Sequence, residues 1–499
     1  MIKIKQKLTQ KTKDKIQLAL RFQQAGNFQQ AEQIYREIIK KQKNNAHIYC
    51  NLGLISQEKG QLDDAINYYR KAIGLNPDLA QAQYNLGVVL QGNGNFEDAI
   101  ACYHKAIQLE ENPLFYFNLG SALQEQGNLD DAEACYRRAL ELDPGYAKAH
   151  NNLGIVFKQR MQLAEAMLHI EKALQLDPDF AEAHVNLAGM HMMSGDFQEG
   201  WKEFEWRKKM KHFRHRHFSQ PHWDGSDISG RTILIYNEQE AKGFGDTIQC
   251  ARYVSLVAER GARVVVECQK ELITLFRNID GVNTVIAEGE RLPNFDVHCH
   301  FLSLPSLFHT SLDTIPTRIP YLSVDASFVQ RWSRRIQSRN SQLKIGLVWA
   351  GDKKHERLQL RSCSDELLSL RSHTEGVRYF SLQKGEASQY ANGHDDSMKL
   401  IDFMEEIHDF SDTAALMLNL DLIISVDTAV AHLAGALGRP VWTLLPYIAD
   451  ARWLINRDDT PWYPTMRLFR QPSPGDWKTV VSRIEKEIQK LLPSAVAEK

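Results

Sequence analysis

An Asn-Leu-Gly triplet, closing as Asn-Leu-Ala, returns every 33 or 34 residues in the first part of this 499-residue chain: Asn51-Leu52-Gly53, Asn85-Leu86-Gly87, Asn118-Leu119-Gly120, Asn152-Leu153-Gly154 and Asn186-Leu187-Ala188. Twelve residues beyond each of these small residues, and beyond Ala19 one period earlier, stands another: Ala31, Ala65, Ala99, Ala132, Ala166 and Gly200. Small side chains at two fixed places let paired helices approach each other and the next pair. A unit this short cannot bury its apolar face alone, so at least three must stack to share a core.

A 34-residue helix-turn-helix period is the tetratricopeptide pattern. Six repeats fit, starting near residues 13, 47, 81, 114, 148 and 182, and predict an all-α solenoid over 13–212. Each has a small residue on helix A and, in five of the six, a turn glycine (Gly26, Gly60, Gly94, Gly127, Gly195). Tyr35, Tyr69, Tyr103 and Tyr136 stand on the B helices, and Pro77, Pro144 and Pro178 close three units. The fifth turn has Arg160-Met161 in place of glycine. The sixth repeat puts bulky Arg207 where Ala72, Ala106, Ala139 and Ala173 stood, which predicts a cap facing the next domain. The Asn column, Asn51, Asn85, Asn118, Asn152 and Asn186, lies on successive A helices. Two readings apply to it: a peptide-binding ladder, because a primary amide offers donor and acceptor together, or bonds that lock neighbouring helices.

After the repeats the grammar changes. Residues 213–230 read as a linker. It is basic and histidine-rich, and the spacing of His212, His215, His217 and His222 matches no helical face, so no metal site is expected there. Nor do His298 and His300, on one strand face, supply enough ligands. From 231 on, short apolar runs alternate with amphipathic stretches. Strands are predicted at 232–236, 263–267, 282–286, 296–300, 344–350, 377–382, 422–426 and 441–445. Helices are predicted at 246–260, 270–278, 364–371, 411–420, 428–437 and 475–492. Buried strands separated by helices mean parallel α/β sheets, and two such sets mean two subdomains, 231–325 and 340–495. Net charge is −2 with 43% hydrophobic residues, which points to neither a nucleic-acid partner nor disorder. No apolar segment approaches the ~20 residues of a transmembrane helix. Seven scattered cysteines without a C-x-x-C pair read as thiols in a reducing, cytoplasmic setting.

Two junctions carry the residues suited to chemistry. In Gly243-Phe244-Gly245-Asp246, a Gly-x-Gly turn opening a helix brings backbone N–H groups to an anion or sugar, with Asp246 at the carboxyl end of a strand; Asp246 also suits a helix N-cap. In Leu422–Pro440 a buried strand delivers Asp427 and Thr428 to a helix N-terminus whose free N–H groups and dipole suit a diphosphate. His432 lies one turn on from Thr428, where a satisfied histidine packed on the sheet is the other reading.

The segment Asp427-Thr-x-x-x-His432-Leu-Ala-x-x-x-Gly438-x-Pro440, paired with Gly245-Asp246-Thr247, resembles glycosyltransferase family nine, the heptosyltransferases, of two-Rossmann GT-B fold. Val348-Trp-Ala-Gly351, Ser381-Leu-Gln-Lys-Gly385, Asp412-Thr-Ala-Ala-Leu416 and Pro461-Trp-Tyr-Pro-Thr-Met-Arg467 are similar to the transferase half of bacterial tetratricopeptide-repeat glycosyltransferases. The resemblance implies a fold of two Rossmann-like subdomains behind the solenoid and sugar transfer from a nucleotide-sugar without metal or other cofactor. It implies Asp246 as general base, and Gly243, Gly245, Asp427, Thr428, Ala429 and His432 at the donor. Arg361, with Lys353 and Lys354 behind it, and Lys384 would meet phosphate. The architecture is similar to that of the eukaryotic O-linked N-acetylglucosamine transferases, which implies a protein or peptide partner on the repeats. The Glu240-Ala241-Lys242 insertion and the changed Arg357–Leu360 segment depart from the family's pattern. They support the alternative function, an inactive scaffold or sugar-nucleotide sensor.

Overall fold

The structure, a computed structural model, describes residues 10–238, 243–336, 342–351, 361–370, 376–393 and 400–492. It divides into two compact units, residues 1–183 and 184–499. The first is the solenoid, built of helix pairs from Gln10–Gln24 onward. The glycine of each triplet is a packing requirement. A Cβ on Gly53, Gly87 or Gly120 would fall 2.5, 2.7 or 2.9 Å from the ring of Tyr69, Tyr103 or Tyr136, and on Gly154 it would meet Ile170 at 2.6 Å. The missing side chain of helix A is the slot for the aromatic or aliphatic residue of helix B.

Those tyrosines carry a hydrogen-bond relay. Tyr35, Tyr69, Tyr103 and Tyr136 each donate to the Gln twelve residues earlier, Gln23, Gln57, Gln91 and Gln124, at 2.7–3.3 Å. The Asn column closes it from the next repeat: the amide nitrogens of Asn51 and Asn152 donate to Tyr35 and Tyr136 at 3.1 and 3.2 Å. Asn118 donates to Tyr84 at 3.0 Å and to the Leu114 carbonyl at 2.9 Å, and Asn85 to the Cys50 sulfur at 3.7 Å. The amide nitrogens of Asn51, Asn85, Asn118 and Asn152 thus each make a packing contact, as the locking reading expects. Replacing Asn85, Asn118 and Asn152 together by Ala is expected to cost about 3 kcal/mol of stability, from about 1 kcal/mol per neutral hydrogen bond. Chemical denaturation checks this, and unchanged stability would return the column to the ladder reading.

The five turn glycines all have positive φ, from 72° to 95°. Met161 takes the same left-handed conformation at φ 60°, a conformation that costs an L-residue about 1–2 kcal/mol. Met161→Gly is expected to gain about 0.5–1 kcal/mol once glycine's extra chain entropy is subtracted, read as a higher denaturation midpoint. A fall in the midpoint would show that the methionine side chain contributes more than its backbone costs.

The second unit holds two parallel sheets. One contains β1 (Thr232–Tyr236), β2 (Arg263–Cys268), β3 (Val282–Ala287) and β4 (Val297–His300) in the order β3-β2-β1-β4. The other contains β5 (Leu343–Val348), β6 (Val377–Ser381), β7 (Ile401–Asp402), β8 (Leu422–Val426), β9 (Val441–Leu445) and β10 (Met466–Arg470), ordered β10-β9-β8-β5-β6-β7. Each sheet runs outward in both directions from its first strand, the doubly wound plan of a two-Rossmann GT-B chain. Strands β7 and β10 and the helix Ala326–Arg335 were not expected from the sequence. The terminal helix Trp477–Leu491 buries Trp477, Val480, Val481, Ile484 and Ile488, while Leu491 is exposed.

The boundary of the second unit differs from the sequence expectation of residue 212, because the sixth repeat belongs to the α/β core. Phe197 and Trp201 are buried against Trp462, with ring centroids 5.4 and 6.4 Å away. Arg207 is 5% exposed and fully occupied: Nε and Nη2 reach Glu238 at 2.8 and 2.5 Å, Nη1 reaches Glu205 at 2.7 Å, and Nη2 also reaches Ser303 at 3.0 Å. Segment 213–230 is packed in part, as expected of a linker lying against a domain. Trp223 N donates to His298 O at 2.8 Å and His298 N to Pro221 O at 3.2 Å, covering the outer edge of β4, and Trp223 and Ile228 enter the core.

Candidate functional site

In a doubly wound sheet, ligands bind outside the carboxyl ends of the two neighbouring strands whose connections leave in opposite directions. Those pairs are β1/β4 and β5/β8. The chain after β1 forms the helix Phe244–Cys250 with Asp246 in its first turn. Arg361 follows β5, Asp427 and Thr428 follow β8, and Asp450 and Arg452 follow β9. Gly243 occupies the N-cap position, so Asp246 is not the cap. The two sheets thus present their ligand-binding ends to the same place.

Contact between them is close because Gly245 has no side chain. A Cβ there would lie 2.8 Å from the His432 ring and 3.7 Å from Ala429 Cα, so the helices Phe244–Cys250 and Ala429–Ala436 meet at their first turns. Asp246 Oδ1 accepts from Arg452 at 2.7 Å. Asp427 is 5% exposed, with Arg361 Nη1 3.2 Å from its Oδ2. That contact is an ion pair without hydrogen-bond alignment, since Oδ2 has no hydrogen-bond partner among the described residues. Burial raises the Asp427 carboxyl above the usual range, and Arg361 only partly opposes it. His432 Nε2 is 4.0 Å from Asp427 Oδ1, and Nδ1 is 2.9 Å from the Tyr463 hydroxyl. Burial, reinforced by the charge of Arg452, holds this imidazole well below its ordinary pKa, so it is neutral.

The helix Ala429–Ala436 begins at Thr428 without a side-chain cap. Thr428 Oγ1 turns instead to Ser425 Oγ at 3.1 Å, and Thr428 and Ala429 are half-buried. Their end of the helix therefore offers uncapped N–H groups to an anion. Lys384 is not brought into this cluster: it is exposed and donates to the Ile407 carbonyl at 3.1 Å. Gly243 stands against Asp246, where a Cβ would be 2.8 Å from Oδ2. Lys353, Lys354, the insertion at 240–242 and the segment 357–360 lie outside the described residues. Two of the quoted motifs lock the second sheet, as Trp349 N and Ala350 N both donate to Gln383 Oε1 at 3.1 and 2.9 Å.

Sequence reasoning missed the residues that join the two sides. Arg452 bonds Asp246, Gln249 and Asp450. Burial works to raise the Asp450 carboxyl, yet Arg452 outweighs it and holds that group well below the usual carboxylate range. Arg252, also buried, donates to Trp462 O at 2.9 Å and lies over the rings of Tyr321, Trp462 and Tyr463 at 4.9–5.1 Å. The Pro-Trp-Tyr-Pro motif is thus the platform for a cation in the turn Ala251–Tyr253 that follows the Gly-Asp helix. An acid and a base two residues apart, just past a buried strand, were the available signal for Asp450 and Arg452.

Buried histidines set a pH dependence. Besides His432, burial first and then the charge of Lys208 hold His300 well below its ordinary pKa. Both are neutral when folded and free to protonate near 6.5 when unfolded, so the unfolded state binds more protons below that pH. Stability of the second unit is expected to fall as pH drops from about 6.5 toward 4, by up to about 1.4 kcal/mol per histidine per pH unit. Denaturation midpoints at pH 7 and pH 5 check this; equal midpoints would show that these rings are solvated.

The architecture defines a tetratricopeptide solenoid followed by a doubly wound α/β unit with a candidate site at the meeting of its two sheets. Comparison with known proteins bears out both resemblances. Tetratricopeptide repeat profiles match residues 84–147, 117–179 and 55–94. The profile of glycosyltransferase family 9 (heptosyltransferase) matches residues 408–460, which include Asp427, Thr428, Ala429, His432, Asp450 and Arg452 but not Asp246 or Arg361. Protein FlbA of Caulobacter vibrioides is 26% identical over 315 residues, 58% of this chain and 52% of FlbA, so the match spans about half the length of that relative. Among solved structures, YrrB, described as a TPR protein with an unusual peptide-binding site, is 22% identical over 36% of this chain and 92% of its own, with TM-score 0.31. A MamA structure is 26% identical over 35% and 100%, TM-score 0.31. PilW, a type IV pilus biogenesis factor, is 21% identical over 40% and 94%, TM-score 0.38. No described helix is long and apolar enough to cross a membrane.

Proposed function

We propose that the chain is a glycosyltransferase that moves a sugar from a nucleotide-sugar to an acceptor hydroxyl, with the repeats holding the protein that is, or carries, the acceptor. The observation that supports this most is the convergence of Asp246 from one sheet with Asp427 and His432 from the other at facing switch points. Asp246 takes the proton of the acceptor hydroxyl as its oxygen bonds to the anomeric carbon. The bond from that carbon to the phosphate oxygen breaks, and its electron pair leaves with the nucleoside diphosphate. Arg361 and the N–H groups at Thr428 and Ala429 meet the departing charge, so the mechanism calls for no metal. Asp427 and His432 border the sugar. Seven unpaired cysteines support a reducing, cytoplasmic setting.

The test is release of nucleotide from UDP-, GDP-, ADP- and CMP-sugars, first with water and then with cell protein as acceptor. Turnover of one donor, lost on Asp427→Ala, is expected. Binding of a donor without any turnover would instead make the protein a sugar-nucleotide sensor.

A further inference from the structure

The contact that spans the two sheets at the site is an arginine with almost all of its donors committed. Arg452 is seated by its own loop: Nε donates to Asp450 Oδ1 at 2.8 Å, Nη2 to Asp450 Oδ2 at 3.4 Å, and its backbone N to Asp450 Oδ1 at 3.1 Å. The outer edge of the guanidinium then reaches across to the Phe244–Cys250 helix, where Nη2 meets Asp246 Oδ1 at 2.7 Å and Nη1 meets Gln249 Oε1 at 2.6 Å. Asp246 and Gln249 are three residues apart and so share one helical face. A planar, rigid fork that grips two such positions fixes the rotation of the Asp246 carboxylate as well as its place.

The two oxygens of Asp246 differ. Oδ1 is tied to Arg452, while Oδ2 lies beside Gly243, where a Cβ would stand 2.8 Å away. The Asp246 side chain is 31% exposed. One oxygen is therefore anchored, and the other accepts no hydrogen bond from the described residues.

Resting on the glycosyltransferase reading above, we propose that Arg452 is the positioning residue of the base Asp246. Because the base stands on the four-stranded side and its aligner on the six-stranded side, the base is complete only when the two sheets are closed on each other. Arg452 acts through Asp246, and a misaligned carboxylate loses rate even though it is still present.

A double-mutant cycle on the full chain tests this, using nucleotide release from the nucleotide-sugar that the wild type turns over fastest. Arg452→Ala is expected to lower kcat about 10- to 100-fold in the wild-type background. In the Asp246→Asn background the same change should cost less than about 2-fold, because residues acting as one unit are not additive. Arg452→Lys should recover part of the loss, since it restores charge without the fork, and it carries the cycle if the alanine variant does not fold. Equal losses in both backgrounds would overturn the inference and make Arg452 a structural or phosphate-binding residue. If Asp246→Asn alone leaves kcat unchanged, or the wild type turns over none of the donors, the reading of the base fails and this inference falls with it.

Discussion

Replacing Asp246 by Asn is expected to reduce turnover by about 100-fold or more while leaving donor binding in place. Asparagine keeps the shape of the side chain and an oxygen for Arg452, so the contact across the sheets at 2.7 Å has a substitute acceptor. What is lost is a group that can take the acceptor's proton. The proposed donor side, Arg361, Asp427, His432 and the helix end at Thr428, is built on the six-stranded sheet and does not include Asp246. Undiminished turnover, measured as nucleotide release, would remove Asp246 from its role. Loss of donor binding together with turnover would show instead that the substitution separates the sheets.

A chain beginning at residue 213 is expected not to fold, whereas one beginning near His184 is expected to fold and bind donor. The first cut strips Phe197 and Trp201 from Trp462 and leaves Glu238 without Arg207. Deleting a buried aromatic side chain costs about 3–5 kcal/mol, and breaking a buried ion pair by removing one partner about 3–5 kcal/mol. Together these approach the whole stability of a domain, about 5–15 kcal/mol. Circular dichroism and solubility of the two fragments decide the matter. A folded, donor-binding fragment from 213 would contradict the assignment of the sixth repeat to the α/β core.

That assignment also shows where reading the sequence stops. The repeats were legible because a fixed period imposes the same contact many times, and the structure explains the glycines of the triplets by the side chain each admits, a tyrosine ring at three and Ile170 at the fourth. The sixth repeat has the same apolar positions as the others, and a period cannot tell whether the next surface is another repeat or a sheet. Arg207, the residue out of pattern, was the signal. Most strands were legible because buried parallel strands are unbroken apolar runs. Strand β10, Met466–Arg470, was not, since as an edge strand it breaks its apolar run with Arg467 and ends on Arg470, directly after a proline-rich motif. In the candidate site, Asp246, Asp427 and His432 lie in local motifs at strand ends, so the sequence alone could single them out. Arg452 meets Asp246 across 206 residues of sequence, and only the fold brings the pair together. The Asn column was visible as a column, but its tyrosine partners stand on other helices, which is why ladder and lock could not be told apart by position.

The most direct test of the central claim, that the two switch points build one nucleotide-sugar site, is the thermal midpoint of the full chain with and without UDP-, GDP-, ADP- and CMP-sugars. A ligand that binds only the folded state stabilises it by RT ln(1 + [L]/Kd), about 2.7 kcal/mol at a hundredfold excess over Kd. The account predicts that one donor class raises the midpoint of the wild type and of Asp246→Asn, and that Asp427→Ala abolishes the rise. No shift with any donor, or a shift that survives Asp427→Ala unchanged, would contradict it.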